Sequence, residues 1–384
     1  MTAQEILAKL IGFDTVSHKT NLPLIDWVES YLESHSISSH RVYDETGEKA
    51  NLIATIGPAD AAGIILSGHV DVVPVEGQPW STDPFEAVVK DGRMYGRGSS
   101  DMKGFCACVL AAVPKMVAAD LTTPLHIVLS YDEEIGCIGV RGAIREIAEW
   151  PVKPRACIVG EPTMMQVVLG HKTKRSIRVT VRGRTGHSSL APNYVNAVEY
   201  AARLTVFIAD MGRDMAKNGA VDPLYDVGHT TAHVGMLHGG TQLNIVPDDA
   251  VFDFEFRAIK GDDADALVER VKAFAAQELE PAMRAVDPET GIDFHTLSGV
   301  DGLDTDPDAE VVSLAKSLAR RNDHAKVAFG TEGGLFQTMA DIPTVVIGPG
   351  DIGRAHKADE YIGLDEIEAG SAFLDRLIDR CRSS

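Results

Sequence analysis

Cysteine is scarce in this sequence, and long apolar runs are missing from it. The 384 residues include five cysteines, and no two of them form a CxxC pair. An odd, sparse set argues against a disulfide framework and favours a reducing compartment. No segment approaches the roughly 20 apolar residues that span a bilayer, and the first residues lack the basic start and apolar core of a secretory signal. We therefore expect a cytoplasmic protein without a membrane segment.

Positive charge is also in short supply. Lys and Arg number 36 against 56 Asp and Glu, which gives a formal net charge of −20. This balance argues against nucleic acid and anionic membranes as partners, and it is compatible with a cationic small-molecule substrate. Hydrophobic residues make up 45% of the chain and charged residues 24%. Such a composition is typical of globular proteins and excludes disordered and collagen-like chains.

Helical and strand-like segments alternate through the first half of the chain. Apolar strands such as GIILSGHVDVV, LHIVLSYDEE and ACIVGEP are separated by helical segments such as GFCACVLAAVPKMVAA. Near-continuous apolar strands in βα alternation predict an α/β domain with a mixed, mostly parallel sheet, covered by helices on both faces.

The pattern changes near Gly170. RSIRVTVRG and QLNIVPDDAVFDFEFRAI alternate in polarity, and amphipathic helical segments begin near Asn196 and Asp263. This pattern predicts an inserted α+β domain over residues 172–287, with a four-stranded antiparallel sheet and two helices. Residues 1–171 and 288–384 would then form one discontinuous catalytic domain that binds metal.

Four strand ends or loops in the first half carry side chains typical of a metal site. In SGHVDVVP, the histidine and the aspartate are two residues apart on a strand and so face the same way. The loop GSSDMKG opens a helix, DEEIG follows the strand LHIVLSY, and EPT follows ACIVG. Open α/β sheets bind ligands at this carboxyl edge, so we expect these side chains to meet there. They are His69, Asp71, Asp101, Glu133, Glu134 and Glu161.

Each of these residues also has an ordinary structural interpretation. A lone histidine at a strand end is more often structural than a ligand, and Glu133-Glu134 before a glycine is typical of a solvated turn. Asp101 could cap a helix, and Glu161 could begin a loop. Convergence of all four features on one edge favours the site over these separate explanations.

In order along the chain, SGHVDVVP, YGRGSSDMKG, DEEIG and VGEPT resemble motifs of the dinuclear zinc amidohydrolases and metallopeptidases. That family includes acetylornithine deacetylase, succinyl-diaminopimelate desuccinylase, aminoacylase and the glutamate carboxypeptidases. The similarity continues through GHSS, GTQLN and AHKADE, and so covers essentially the whole chain. IGPGDIGRAHKADEYI is most similar to the acetylornithine deacetylase branch. One departure is Thr331-Glu332-Gly333-Gly334, where that branch has Thr-Glu-Ala-Pro.

The resemblance implies two divalent metal ions, zinc in the first place with cobalt as a substitute. His69 and Glu161 would bind one ion, Glu134 and His356 the other, and Asp101 would bridge them. Asp71 would be hydrogen-bonded behind His69, fixing its tautomer. Glu133 would be the general base for a water activated by the metals.

By the same resemblance, the reaction is hydrolysis of N2-acetyl-L-ornithine to L-ornithine and acetate, in arginine biosynthesis. The alternative is a related deacylase for succinyl-diaminopimelate, acetyl-diaminobutyrate or general N-acyl amino acids. His187 would stabilise the oxyanion in a partner subunit, which implies a homodimer through the inserted domain. Further candidate substrate-binding residues are Asn244, Arg257, Thr331 and Glu332.

These last residues also have simpler interpretations, and two rival function classes compete with a metal-dependent hydrolase. His187 could be a turn histidine, and Arg257 could lie on a solvent face. Glu332 is a candidate for contacting either the distal ammonium of the substrate or the backbone of the metal loop, and its simpler interpretation is a helix cap. GPGDIG formally matches a dinucleotide motif, but Pro349 interrupts it and too little chain follows for the rest of that fold. If the chain were a non-catalytic binding module of this fold, we would expect a metal ligand or the general base to be missing. The sequence retains all of them.

Overall fold

A computed structural model of the chain describes residues 1–382, which divide into two compact units. The larger unit comprises Met1–Gly170, Leu303–Lys326 and the described chain from Thr331 onward. The smaller unit comprises His171–Gly302 and Val327–Gly330. Over the described residues, every helix is too short or too polar to cross a membrane.

The elements alternate in type along most of the chain. The α-helices are α1 (Ala3–Ile11), α2 (Leu22–Ser34), α3 (Lys103–Ala118), α4 (Val140–Ala148), α5 (Ala197–Asn218), α6 (Ala264–Phe274), α7 (Glu280–Val286), α8 (Glu310–Ala319), α9 (Gly333–Ala340) and α10 (Leu364–Cys381). The strands are β1 (Ser39–Tyr43), β2 (Ala50–Ile56), β3 (Ile64–His69), β4 (Val88–Lys90), β5 (Arg93–Tyr95), β6 (Leu125–Ser130), β7 (Ala156–Val159), β8 (Val167–His171), β9 (Thr173–Arg182), β10 (Gly186–His187), β11 (Thr231–Gly239), β12 (Ile245–Val246), β13 (Asp249–Ala258), β14 (Gly291–Val300), β15 (Leu303–Asp304), β16 (His324–Val327), β17 (Thr344–Val346) and β18 (Tyr361–Gly363).

The larger unit is built on a mixed sheet in the order β1-β2-β6-β3-β7-β17-β8-β15, with β16 paired to β8. The four central strands β6, β3, β7 and β17 run parallel to one another. Strands β3, β6 and β7 are buried along their whole length, as expected for strands covered on both faces. The predicted mixed α/β architecture is confirmed.

The two faces of this sheet carry different helices, as β3 shows. Ser67 donates a hydrogen bond to Glu332 at the start of α9. The next residue, Gly68, faces α3, because a Cβ placed on it would lie 2.8 Å from the Sγ of Cys106. Successive residues of a strand point to opposite faces, so α3 and α9 cover opposite sides of the sheet.

The smaller unit has an antiparallel sheet in the order β11-β13-β9-β14, with α5 and α6 packed on it. Along β13, Phe252, Phe254 and Phe256 are buried in a core shared with Leu204 and Ile208 of α5. The intervening charged residues point to the opposite face. A separate antiparallel sheet backed by helices is therefore confirmed.

The boundaries of the smaller unit differ from the predicted 172–287. The strand β14 lies beyond residue 287, and it pairs with β9 from Gly291 to Val300. The unit therefore continues to Gly302 and also takes in 327–330. The partner strand of β14 lies more than 100 residues earlier in the chain, so local sequence could not assign β14 to this sheet.

Candidate metal centre

The carboxyl ends of the central parallel strands bring the predicted ligands together in the larger unit. Strand β3 ends at His69, and its parallel neighbour β6 ends at Ser130, just before Glu133 and Glu134. Strand β7, on the other side of β3, ends two residues before Glu161. Parallel neighbours end at one sheet edge, so the chain direction of three strands determines this arrangement.

Asp101 and His356 come from loops and complete the cluster. His69 Nε2 lies 3.1 Å from Asp101 Oδ1 and 3.9 Å from Glu161 Oε1. His356 Nε2 lies 3.3 Å from Asp101 Oδ2 and 3.0 Å from Glu134 Oε2. Asp101 thus contacts both histidines, as its predicted bridging position requires.

Two overlapping groups of side chains have the spacing of metal ligands. One group is His69, Glu133 and Glu161, and the other is His69, Asp101 and Glu134; within each, the ligand atoms lie within 4.8 Å of one another. Glu133 belongs to the first group, although the family resemblance gives it the role of general base. The geometry assembles the predicted residues, and the division of ligands between two ions stays a prediction.

Asp71 lies behind the His69 ring and also contacts the turn that carries the two glutamates. Its main-chain oxygen lies 2.9 Å from His69 Nδ1, whereas its carboxylate oxygen Oδ1 is 3.5 Å away. The carboxylate accepts hydrogen bonds from the amides of Glu133 and Glu134, at 3.1 and 3.3 Å, and from Ser17 Oγ at 2.7 Å. Asp71 therefore contacts His69 through both its backbone and its carboxylate, and its side chain also holds the turn that carries the two glutamates.

The cluster contains more acid than its histidines balance. Burial raises the pKa of Glu133 to about 8, and repulsion from Glu134 adds to the shift. Burial also raises the pKa of Glu134, and it raises that of Glu161 well above its usual value. Hydrogen bonds to Asp101 and Glu134 raise the pKa of His356 to about 10.

This donor set fits divalent cations. Imidazole nitrogens and carboxylate oxygens are the ligand types that zinc takes in catalytic sites. Among the described residues, the buried Oε1 of Glu161 has no hydrogen-bond partner, which is unusual for a buried carboxylate oxygen. A cation beside Glu161 would satisfy that atom and favour the ionised form of the neighbouring carboxyl groups.

Thr331 and Glu332, the predicted substrate-binding residues of the larger unit, lie inside the fold. Both side chains are fully buried. Glu332 accepts hydrogen bonds from the hydroxyls of Ser67 on β3 and Ser130 on β6, and Thr331 Oγ1 accepts from the amide of Gly333. Both oxygens of Glu332 are thus used inside the fold, and substrate contact by Thr331 and Glu332 stays a prediction.

The three remaining predicted residues belong to the smaller unit. His187 is exposed on β10, and its Nδ1 lies 2.8 Å from Ser189 Oγ. Asn244 is exposed in the turn before β12. Arg257 lies on the face of β13 opposite the phenylalanines, and its Nε donates to Glu255 at 2.7 Å.

Sequence reasoning missed two residues that organise the loop of Asp101. The carboxylate of Glu360 is buried against this loop and pairs with Arg97 at 2.7 Å. Glu360 belongs to the AHKADE motif and Arg97 to YGRG, so their motif membership was the available signal. Neither has the spacing of a metal ligand, so the sequence alone does not distinguish them from their neighbours.

Comparison with known proteins identifies the family of the chain. Peptidase family M20/M25/M40 matches residues 65–380. A Myxococcus xanthus protein named acetylornithine deacetylase is 34% identical over 380 residues, which cover 97% of this chain and 95% of the relative.

Solved structures share the fold. An M20 family metallo-carboxypeptidase from Sulfolobus solfataricus matches with a TM-score of 0.76 at 19% identity, covering 98% of each chain. A dinuclear metal binding peptidase of the M20 family from Bacillus subtilis matches with a TM-score of 0.69 at 14% identity, covering 98% of this chain and 96% of that one. The chain therefore belongs to peptidase family M20/M25/M40 and is a metal-dependent hydrolase.

Proposed function

We propose that the chain hydrolyses N2-acetyl-L-ornithine to L-ornithine and acetate, a step of arginine biosynthesis in the cytoplasm. The observation that carries this substrate is the similarity, over nearly the full length of both chains, to a protein named acetylornithine deacetylase. The net charge of −20 is compatible with a substrate that bears a free ammonium group.

We assign two divalent cations to the cluster, zinc in the first place with cobalt as a substitute. His69 and Glu161 would hold one ion, Glu134 and His356 the other, with Asp101 shared between them. Bound there, the cations would supply Lewis acidity, which polarises an amide carbonyl and lowers the pKa of water. Two observations support this assignment: Glu161 Oε1 is buried without a hydrogen-bond partner, and Asp101 contacts both histidines.

We assign proton transfer to Glu133. Its carboxylate would take a proton from the attacking water and deliver it to the nitrogen of the departing amine. The position of Glu133 supports this role, because its carboxylate lies within 4.8 Å of the proposed ligand atoms of His69 and Glu161, and a general base must lie within reach of the proton it takes. Asp71 would hold the Glu133 backbone in place through its 3.1 Å hydrogen bond to the Glu133 amide.

We further propose that two copies associate through the smaller unit. Strand β11 is an edge of its sheet, and Leu237 on it is 43% exposed. The loop that follows exposes Leu243 completely. An edge strand with exposed apolar side chains is a natural template for pairing. In this arrangement His187 would serve the partner's reaction as an oxyanion donor, and Asn244 and Arg257 would hold the substrate carboxylate.

A related deacylase is the second candidate, and one observation favours it. The segment Thr331-Glu332-Gly333-Gly334 departs from the Thr-Glu-Ala-Pro of the deacetylase branch. The same metal chemistry would then act on another N-acyl amino acid, such as acetyl-diaminobutyrate or succinyl-diaminopimelate.

The test is a comparison of initial rates on four substrates by one zinc-loaded preparation, with and without a chelator. The substrates are N-acetyl-L-ornithine, N-acetyl-L-methionine, N-acetyl-L-diaminobutyrate and N-succinyl-diaminopimelate. We expect chelator-sensitive hydrolysis with the highest kcat/KM for acetyl-ornithine. A higher value for another substrate would refute the proposed specificity, and hydrolysis that survives complete metal removal would refute the proposed mechanism.

A further inference from the structure

One buried carboxylate gathers the loop that carries Asp101. Glu360 is 1% exposed, and both of its oxygens are used twice. Oε1 accepts from the amides of Ser100 and Asp101, at 2.9 and 3.1 Å. Oε2 accepts from the amide of Gly98 at 3.1 Å and from Arg97 Nη1 at 2.7 Å. This loop has no strand or helix of its own, so Glu360 satisfies buried amides that lack regular backbone partners.

Arg97 extends the same network to the loop that carries His356. Its guanidinium donates to the main-chain oxygen of Lys357 at 3.3 Å and to Gln78 Oε1 at 2.5 Å. The side-chain nitrogen Nε2 of Gln78 in turn donates to the main-chain oxygen of His356 at 3.2 Å. Arg97 also lies over the Trp80 ring, 5.0 Å from its centroid. A planar fork with several donors suits these simultaneous contacts better than a lysine would.

We propose that Glu360 and Arg97 form a positioning pair for the metal ligands on these two loops. The loops are about 260 residues apart in sequence. The pair connects them through the hydrogen bonds of Glu360 to the Asp101 loop and of Arg97 to the main chain of Lys357. Neither residue touches the reacting atoms in this proposal. They act by fixing the separation of Asp101 Oδ2 and His356 Nε2, which is 3.3 Å. The inference rests on the proposed function, because it takes Asp101 and His356 as metal ligands.

A buried carboxylate with four donors is well satisfied, so the ion pair does not leave an uncompensated charge. Half of the His356 side chain is exposed, at 51%, so packing alone does not fix its position. Metal ligands whose supporting hydrogen bonds are removed typically lose about 10- to 100-fold in metal affinity.

The experiment measures zinc binding to the metal-free full-length protein by competition with a chromophoric chelator. The parent protein should bind two zinc ions. In Glu360→Gln the side chain keeps its shape, but an NH2 group replaces one carboxylate oxygen. The two donors that were hydrogen-bonded to that oxygen then face another donor. We expect the affinity of at least one binding step to fall by about 10- to 100-fold.

Two further variants separate positioning from general stability. Glu29→Gln breaks a partly buried ion pair with Arg41 in the same unit, away from both loops, and should leave both zinc affinities unchanged. Arg97→Lys keeps the charge but loses the forked contacts, and it should lower the same zinc affinity as Glu360→Gln. It also keeps the test decisive should Glu360→Gln fail to fold.

The outcomes distinguish the inference from the function on which it rests. Two zinc ions in the parent protein with unchanged affinities in Arg97→Lys and in folded Glu360→Gln would overturn the positioning role and leave the proposed metal site intact. An equal loss of affinity in Glu29→Gln would also overturn it, because the effect would then follow from stability alone. A parent protein that binds no zinc would overturn both proposals.

Discussion

Replacing Asp71 with asparagine should loosen the turn that presents Glu133 and Glu134. The Asp71 carboxylate is buried and accepts from both turn amides, one on each oxygen. Asparagine offers one oxygen and one NH2 group. With its oxygen in either position, one of the two amides loses its acceptor and faces another donor. The Ser17 hydroxyl can adapt, since a hydroxyl both donates and accepts.

The magnitude follows from the removal of one hydrogen bond to a turn amide. A hydrogen bond to a charged group contributes about 1.5–3 kcal/mol, and a buried donor left without a partner costs a similar amount. We take about 2 kcal/mol for local opening of the turn. That value corresponds to roughly 30-fold faster amide exchange, since 1.36 kcal/mol is tenfold.

Hydrogen exchange measured on the segment around Glu133 is the direct assay. Asp71→Asn should accelerate exchange at the amide of Glu133 or Glu134 by roughly 30-fold and lower kcat. The matched control is Asp132→Asn, which removes a neighbouring charge that pairs with Lys49 but accepts from neither turn amide. Unchanged exchange in Asp71→Asn, or equal acceleration in both variants, would refute the reasoning.

Three other predictions test the site and the core. Glu133→Gln should lower kcat by about 10²–10⁴-fold while zinc content is retained; loss of zinc would instead make Glu133 a ligand. Burial lowers the pKa of His126 to about 4 from 6.5, so the folded state holds it neutral and the free energy of unfolding should fall by about 3 kcal/mol between pH 6.5 and 4. Urea denaturation across that range should show a flatter profile for His126→Gln, and an identical slope would contradict the assignment. Gly160→Ala should lower the melting temperature in calorimetry, because a Cβ there would lie 1.9 Å from the Phe105 ring; an unchanged melting temperature would show that the ring moves freely.

The part of the site that follows strand direction was predictable from sequence. His69, Glu133 and Glu161 each follow a short apolar run that is typical of a buried strand. Parallel packing of such runs places their carboxyl ends together whatever the details of side-chain packing. Asp101 was predicted from its loop at the start of a helix, and only the family resemblance supplied His356, which lies on a loop and has no periodic signal.

The support beneath the site was not predictable, because it depends on contacts between distant segments. An acidic residue in the glycine-rich segment GTEGG is typical of an exposed loop, yet Glu332 is fully buried. Its burial depends on hydroxyls from β3 and β6, which lie about 265 and 200 residues earlier. The strand β14 was missed for the same reason, since its identity depends on pairing with β9.

The order of the ligands along the chain has a consequence for synthesis on the ribosome. The proposed acidic ligands are complete once Glu161 is made, but His356 follows 195 residues later (356 − 161). At about 5–20 residues per second, the nascent chain carries these carboxylates for about 10–40 s before His356, the second histidine of the proposed centre, is made. During that interval the emerging chain has a cluster of acids with only His69 to balance it. In the proposed arrangement, full metal loading would therefore require the completed polypeptide, and an elongating chain could at most hold the ion at the first half of the centre.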